Sequence, residues 1–200
     1  MKTIVVAGGA GFVGTNLVRG LLRRRDTRVV VIDRLSRSDN LWNLADLPRK
    51  QNLEFFRADV AARPQMSSLL AEFRPDAVIN CAADTNTSIS TSSPARYVDG
   101  NIVTTVELLE AIRWYLDSGR GMRADFKYIH VSSCEDFAID GDSQLSRPGP
   151  TTPYAASKAA ADQMVNSWQH TYQIPACIAS FGNCFGPYQS AEEPIPFIIL

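Results

Sequence analysis

The sequence predicts an α/β protein built on a doubly wound parallel β-sheet with helices on both faces. Short runs rich in β-branched residues alternate along the 200-residue chain with longer segments of helical periodicity. The short runs are apolar throughout rather than alternately apolar and polar, which indicates strands buried on both faces. A glycine-rich segment, GGAGFVG at residues 8–14, joins the first predicted strand to the first predicted helix.

Six segments are predicted to be strands because they are short and rich in Val, Ile, Phe and Ala. They are Thr3–Gly8, Val29–Asp33, Leu53–Asp59, Ala77–Ala82, Tyr128–Ser133 and Ala176–Gly182. Three segments have helical periodicity: Phe12–Arg25, a segment that starts after Pro94 and continues through residues 101–116, and Pro153–Tyr172. The segment Asp140–Pro153 is rich in Gly, Pro and Ser, which predicts a loop after the fifth strand.

Charge and cysteine content exclude several classes of function. The chain has 20 basic and 21 acidic residues and a net charge of -1, so we expect no nucleic-acid partner. We also expect no membrane association, because no apolar run reaches membrane-spanning length and the N-terminus does not have the pattern of a signal peptide. The four cysteines lack C-x-x-C spacing and there are two histidines, so no metal site is expected. Unpatterned cysteines are typical of a protein of the reducing cytoplasm.

The glycine spacing predicts a Rossmann-type loop that binds a dinucleotide. Gly8, Gly11 and Gly14 permit a tight turn and a close approach of the backbone to a pyrophosphate at the helix N-terminus. Asp33 ends the second predicted strand about 20 residues later, where a carboxylate accepts hydrogen bonds from the adenosine ribose. A carboxylate there repels a 2′-phosphate, so the sequence predicts NAD rather than NADP, a preference that the neighbouring Arg34 weakens.

Asp59 and Val60 follow the third predicted strand, and two interpretations of them stay open. Both residues could cover the edge of the adenine, or Asp59 could cap a helix.

A tyrosine and a lysine lie four residues apart in PYAASKAAAD, and a helix would bring Tyr154 and Lys158 to one face. A lysine ammonium beside a phenol favours the phenolate. A phenolate can remove a proton from an alcohol or sugar hydroxyl while hydride leaves the carbon. The alternative, a chance Tyr and Lys on an amphipathic helix, is weaker because a dinucleotide-binding pattern precedes them.

The order of these motifs resembles the extended short-chain dehydrogenase/reductase family, the NAD-dependent epimerase/dehydratases. Within it the chain is most similar to the dTDP-glucose 4,6-dehydratase branch, over essentially its whole length. The segments that carry the likeness are DRLSRSDNLWNLADL, RPDAVINCAADTNTSISTSSPARYVDGN and FGNCFGPYQSAEEPIPFII. The resemblance implies a nucleotide-sugar substrate and a homodimer formed by the helices that follow Pro94 and Pro153. It also implies an NAD-binding domain over residues 1–185, with residues 186–200 beginning a substrate-binding region that is largely absent from this chain.

The resemblance further implies three sets of site residues. The catalytic set is Ser133, Cys134, Glu135, Tyr154 and Lys158. The cofactor-binding set is Gly8, Gly11, Phe12, Val13, Gly14, Asp33, Asp59, Val60, Ala82, Ala83, Asn101, Tyr154 and Lys158. The substrate-binding set is Asp84, Thr85, Asn86 and Asn183.

The fifth predicted strand ends in Ser-Ser-Cys-Glu, where the dehydratases have Ser-Thr-Asp-Glu. Family chemistry oxidises carbon 4 of the sugar, removes a proton from carbon 5, expels water and returns the hydride to carbon 6. The resemblance makes Glu135 the base, and it places Cys134 where the acid for the leaving hydroxyl stands. A thiol of pKa about 8.5 is protonated at neutral pH and can donate a proton. Cys134 could equally be a small buried packing residue.

Further departures from the dehydratase pattern leave other reactions open. Asn86 and Ile89 stand where the dehydratases have His and Arg. The Cys-Glu pair also resembles a sugar-nucleotide 5,6-dehydratase, and a small residue before Glu resembles the UDP-glucuronate decarboxylases. A 4-epimerase on the same scaffold and a non-catalytic NAD-binding protein are the remaining alternatives.

Overall fold

A computed structural model describes residues 1–36, 42–47, 52–119, 125–134, 150–191 and 193–199. In these residues six parallel strands form one sheet in the order β3-β2-β1-β4-β5-β6. The strands are β1 (Lys2–Ala7), β2 (Thr27–Asp33), β3 (Leu53–Arg57), β4 (Ala77–Asn80), β5 (Lys127–Ser133) and β6 (Ala176–Phe181). The chain order reverses between β1 and β4, which is where a doubly wound sheet binds its ligand. The predicted fold class is confirmed.

The helices in the described residues are α1 (Phe12–Leu22), α2 (Arg63–Phe73), α3 (Thr87–Ser92), α4 (Pro94–Tyr97), α5 (Thr104–Asp117), α6 (Pro153–Tyr172) and α7 (Pro194–Ile199). A π-helical segment, Val98–Val103, joins α4 to α5. The predicted helix after Pro94 is therefore three consecutive pieces rather than one. Helix α6 has the predicted bounds, since the side chain of Thr152 caps it, Pro153 opens it and Gln173 ends it in the left-handed region.

Helix α2 was not predicted, although the sequence contains its signal. Met66, Leu69, Leu70 and Phe73 lie at helical spacing and are all buried. Helix α3 was also not predicted, because its sequence, TSISTS, has no apolar face. The predicted loop Asp140–Pro153 falls mostly outside the described residues.

Two apolar layers cover the sheet. On one face Val5, Ala7, Val30 and Ile32 pack in a cluster with buried residues of α2, α5 and α6. On the other face Val6, Val29 and Val31 pack against Val18 of α1. Neighbouring residues of β1 and β2 thus face opposite layers, and both layers are fully buried. The predicted burial on both faces is therefore confirmed for β1 and β2. It is wrong for β3 and β6, which are partly exposed, and for β5, which is fully buried only at alternate residues.

Within the described residues, none of the helices has both the length and the apolar character needed to cross a membrane.

Candidate active site

The glycine loop brings three backbone segments into contact at the end of β1. Gly8 has φ +71°, a conformation that side chains disfavour, and a Cβ on it would lie 2.6 Å from the backbone nitrogen of Ala82. A Cβ on Gly14 would lie 2.2 Å from the carbonyl oxygen of Gly8. Gly11 occupies the N-cap of α1 and has no side chain with which to cap it. The loop therefore presents bare backbone and a helix N-terminus to the cleft.

The carboxylate of Asp33 is fixed beside this loop. The side chain is 8% exposed, and Oδ2 accepts a hydrogen bond from the backbone of Ala10 at 3.0 Å. Oδ1 accepts from the backbone of Leu35 at 2.8 Å. A carboxylate has about four acceptor positions, so both oxygens retain capacity for a ligand's hydroxyl groups.

A cleft opens at the carboxyl ends of β1, β2 and β4, at the point where the strand order reverses. It is lined by seven predicted cofactor-binding residues, Gly8, Gly11, Asp33, Asp59, Val60, Ala82 and Ala83. It is also lined by five residues that were not predicted, Arg34, Ser36, Cys81, Gly100 and Thr104. Cys81 could have been found from its place directly before Ala82, whereas Gly100 and Thr104 reach the cleft through packing of the π-helical segment and α5. The predicted residues Phe12, Val13, Gly14, Asn101, Tyr154 and Lys158 do not line this cleft.

Asp59 does not cap a helix, because the N-cap of α2 is Ala62. Instead its Oδ1 accepts from the backbone of Ala61 at 2.9 Å, and its Oδ2 lies 3.6 Å from Nη1 of Arg34. The helix-capping alternative is wrong, and Asp59 stabilises the turn that precedes α2 while lining the cleft.

Asn101 joins the loop after β4 to α6. Its Oδ1 accepts from the backbone of Asp84 at 2.7 Å, and its Nδ2 donates to the carbonyl of Asp84 and to Oγ of Ser157, at 3.0 and 2.8 Å. The side chain is 2% exposed. Asn101 therefore positions the cleft wall against the helix that carries Tyr154 and Lys158.

The predicted substrate-binding residues have different partners and different exposure. Asp84 forms a bidentate ion pair with Arg96. Asn86 caps α3 by accepting from the backbone of Ile89 at 2.9 Å. Thr85 and Asn183 are exposed, the latter beyond the end of β6.

Tyr154 and Lys158 lie on the face of α6 that packs against the sheet. Nζ of Lys158 donates to the carbonyl of Val131 in β5 at 2.8 Å, and the side chain is 4% exposed. Tyr154 is 7% exposed and packs edge-on against Tyr97, with the ring centroids 6.3 Å apart. Ser133 ends β5 two residues after Val131, and Cys134 follows it; both are half-buried. The lysine is thus tied to the strand whose end carries two of the predicted catalytic residues, while Glu135 lies outside the described residues.

The charge of Lys158 acts on Cys81, which lines the cleft, and on the buried His130. Burial raises the pKa of the Cys81 thiol to about 12, against the opposing charge of Lys158, so the thiol is protonated. Burial and the same ammonium lower the pKa of His130 to about 3, so its imidazole is neutral. Nε2 of His130 lies 3.6 Å from Oδ1 of Asp162, a separation that is not an ion pair when the imidazole is neutral.

Asp162 was not predicted, although it follows Lys158 by one helical turn on the same face. Its Oδ2 accepts from Ser132 at 2.8 Å, and burial raises the pKa of its carboxyl group. Tyr154, Lys158 and Asp162 thus lie along one stripe of α6, and the last two are hydrogen-bonded to β5. Among the residues that the structure describes, no group of three or more His, Cys, Asp or Glu side chains could hold a metal ion.

Comparison with known proteins identifies the family of this chain and several of its relatives. Residues 4–199 match the model of the NAD dependent epimerase/dehydratase family. The chain is 36% identical over 205 residues to dTDP-glucose 4,6-dehydratase of Neisseria gonorrhoeae, covering 100% of this chain and 59% of the relative. It is 34% identical over 213 residues to dTDP-glucose 4,6-dehydratase 1 of Escherichia coli K12, covering 98% of this chain and 58% of the relative.

Solved structures with the same fold include a dehydratase and an epimerase. DesIV, a dTDP-glucose 4,6-dehydratase from Streptomyces venezuelae solved with NAD and TYD bound, superposes with a TM-score of 0.85 at 31% identity, covering 98% of this chain and 61% of that one. UDP-glucuronic acid 4-epimerase from Bacillus cereus in complex with NAD superposes with a TM-score of 0.80 at 26% identity, covering 96% and 60%. The chain spans about three fifths of the length of these proteins.

Proposed function

Because the chain belongs to the NAD-dependent epimerase/dehydratase family, we propose that it binds NAD and dehydrates a nucleotide sugar by 4,6-dehydratase chemistry. The observation that carries the proposal is the hydrogen bond from Lys158 to Val131. It ties the face of α6 that carries Tyr154 and Lys158 to β5, close to Ser133 and Cys134. The neighbouring strand, β4, leads directly into Cys81 and Ala82, which line the cleft.

The residues of the cleft fit NAD. Any Cβ at Gly8 or Gly14 would collide with backbone, so the loop has the bare surface that a pyrophosphate requires. The fixed carboxylate of Asp33 matches the hydroxyl groups of an adenosine ribose. When bound, NAD supplies the acceptor for the hydride of carbon 4 and the source of the hydride returned later.

Tyr154 is the proposed base for the hydroxyl on carbon 4 of the sugar. The buried ammonium of Lys158 stabilises the phenolate form of a neighbouring phenol by its charge. Ser133, at the end of β5, orients the same hydroxyl group with its own hydroxyl. Removal of this proton is what allows carbon 4 to become a ketone, which then acidifies the hydrogen on carbon 5.

Glu135 is the proposed base that removes the proton from carbon 5, and Cys134 the proposed acid that protonates the departing hydroxyl of carbon 6. Cys134 is half-buried and follows Ser133 directly at the end of β5. A thiol is a weaker hydrogen-bond donor than the carboxylic acid of the dehydratases. The elimination step is therefore expected to be the slow one.

A 4-epimerase is the second candidate, and Cys134 is the residue that favours it. An epimerase needs no acid for a leaving hydroxyl, and the similar solved structures include a UDP-glucuronic acid 4-epimerase. Oxidation and reduction at carbon 4 would then complete the reaction without use of Cys134.

The mass of the product and its configuration at carbon 4 separate these reactions. The purified protein is incubated with NAD and, separately, with dTDP-glucose, UDP-glucose and UDP-glucuronic acid, and the products are analysed by mass spectrometry and NMR. Loss of water from a nucleotide sugar supports the dehydratase. An unchanged mass with inverted configuration at carbon 4 indicates an epimerase, and loss of carbon dioxide indicates a decarboxylase.

A homodimer through α5 and α6 is also proposed. Trp114 of α5 and Tyr172 of α6 are large apolar side chains with 47% and 44% exposure. Sedimentation velocity gives the mass in solution, and a monomer at all concentrations would contradict this assignment.

A further inference from the structure

Arg34 stands where a site of this type would bind a 2′-phosphate. It follows Asp33 directly and lines the same cleft. An arginine near the ribose-binding acid is the residue that accommodates the additional phosphate of NADP. An unrestrained Arg34 would therefore work against the selectivity that Asp33 confers.

Two carboxylates hold the guanidinium of Arg34. Its Nη1 lies 3.6 Å from Oδ2 of Asp59, and its Nη2 lies 3.5 Å from Oδ2 of Asp84. The side chain of Arg34 is 42% exposed and that of Asp59 is 44% exposed, whereas that of Asp84 is 10% exposed. Asp84 is thus the buried partner and the less mobile of the two.

Asp84 is itself fixed from three sides. Its carboxylate accepts two hydrogen bonds from Arg96, at 2.8 and 3.2 Å. Its backbone nitrogen and carbonyl are both bonded to the side chain of Asn101. A Cβ on Gly100 would lie 2.4 Å from Oδ2 of Asp84. The carboxylate therefore fits in this position because residue 100 has no side chain.

These charged groups surround a second cavity, which adjoins the cleft and shares Arg34, Asp59, Gly100 and Thr104 with it. Asp84, Arg96 and Asp99 also line this cavity. A 2′-phosphate would enter a space where both guanidinium groups are already paired with carboxylates. The phosphate would have to displace Asp84 or bind beside it, and like charge opposes the second arrangement.

We propose that Asp84 determines cofactor specificity: by holding Arg34, it makes the site select NAD over NADP. This inference rests on the proposed binding of NAD. Asp33 repels the 2′-phosphate directly, and Asp84 withholds the cation that would otherwise compensate. Asn101 holds the backbone of Asp84 in place, and Arg96 pairs with its carboxylate without itself being the phosphate-binding group.

The test is the ratio of the dissociation constants of NADP and NAD, measured by calorimetry for wild type and variants. Asp84→Asn keeps the shape of the side chain and removes the charge of the buried partner of Arg34, so the ratio falls about tenfold, the usual worth of a hydrogen bond to a charged group. Adding Arg34→Ala to Asp84→Asn restores the wild-type ratio. Arg96→Ala is the matched control: it leaves Asp84 paired with Arg34 alone, and the ratio does not fall.

Asp59→Asn is a second test of whether release of Arg34 weakens the preference for NAD. The Asp59 side chain is 44% exposed, and an Asn can keep the hydrogen bond to Ala61. It lowers the ratio in the same direction by a smaller factor. The inference is overturned if wild type binds NAD and the ratio is unchanged in Asp84→Asn, or if the fall persists in the Arg34→Ala double variant. A wild type that binds neither dinucleotide instead contradicts the proposed function and removes this inference with it.

Discussion

The carboxyl edge of the sheet holds its functional groups by two different means. At the β1–β2 end the backbone is the functional surface: Gly8, Gly14 and the loop leave no room for a side chain. At the β5 end the proposed functional groups are side chains. One of them, Lys158, lies on α6 and is held at β5 by its hydrogen bond to the carbonyl of Val131. The first arrangement needs one short run of residues, and the second needs segments that are far apart in the sequence.

Under the proposed function, this difference separates cofactor binding from the chemical steps. A change in the glycine loop displaces backbone and should damage cofactor binding and folding together. A change at the β5 end removes a reacting group from an intact scaffold and should damage turnover alone. Substitutions in the two regions therefore test whether the division is real.

The largest effect is expected for Tyr154→Phe. Loss of the phenol should lower turnover of the nucleotide sugar by up to about 10⁴-fold, since it removes a group that acts in the transition state. The dissociation constant of NAD should stay within about tenfold of wild type. Turnover is followed by product mass and NAD binding by calorimetry. Tyr172→Phe on the same helix is the control, because it also removes one phenol while keeping the exposed ring that is proposed to pack in the dimer; it should leave both quantities unchanged. Equal losses in binding and turnover for Tyr154→Phe would erase the distinction between the two regions.

Cys134→Ala should lower the elimination rate by about 10²–10⁴-fold if the thiol is the acid for the leaving hydroxyl. Oxidation at carbon 4 should persist, so the nucleotide-bound ketone should accumulate and be detectable by mass after rapid quenching. The exposed Cys177→Ala serves as the control. A rate within threefold of wild type would assign Cys134 to packing.

Gly14→Ala should weaken NAD binding by at least about tenfold and lower the free energy of unfolding by roughly 1–3 kcal/mol, because the new Cβ meets the carbonyl of Gly8 at 2.2 Å. Gly20→Ala on the same helix is the matched control, since a Cβ there meets nothing within 4 Å. That change should stabilise the protein by about 0.5–1 kcal/mol through helix propensity. Calorimetry and urea unfolding measure the two effects. Normal NAD binding by Gly14→Ala would show that the loop does not hold the pyrophosphate.

The last effect concerns stability rather than binding or turnover, and it comes from His130, whose pKa is lowered to about 3 by burial and by Lys158. Between that value and the unfolded pKa near 6.5, the unfolded state binds the additional proton. The free energy of unfolding should therefore fall by about 1.4 kcal/mol per pH unit as the pH falls through this window. The raised pKa of Asp162 acts with the opposite sign above pH 3.8, and partly offsets the slope at the acid end.

Urea unfolding at pH 4.5 to 6.5 measures this slope. His130→Gln should remove the contribution of the imidazole whatever its effect on absolute stability, and the exposed His170→Gln should keep the wild-type slope. Identical slopes for His130→Gln and wild type would show that the buried imidazole is not held neutral.

The same division explains what could be predicted from the sequence. The glycine spacing, Asp33 and the bounds of α6 are local signals, and the structure contains all three. The ion pairs of Asp84 could not be predicted, because Arg34 and Arg96 approach it from β2's end and from α4 only after folding. Asn101 resembled a ligand-binding residue in its motif, yet its amide is used to join the β4 loop to α6. The roles of Ser133, Cys134 and Glu135 stay predictions.

The most direct test of the proposed 4,6-dehydratase reaction follows the hydrogen atom on carbon 4 of the sugar. The protein is incubated with dTDP-glucose carrying deuterium at carbon 4, and the product is analysed by mass spectrometry and NMR. 4,6-Dehydratase chemistry gives a product that has lost water and carries the deuterium at carbon 6, since the hydride taken from carbon 4 is returned there. A product that has lost no water, or one whose deuterium has returned to carbon 4, would contradict it.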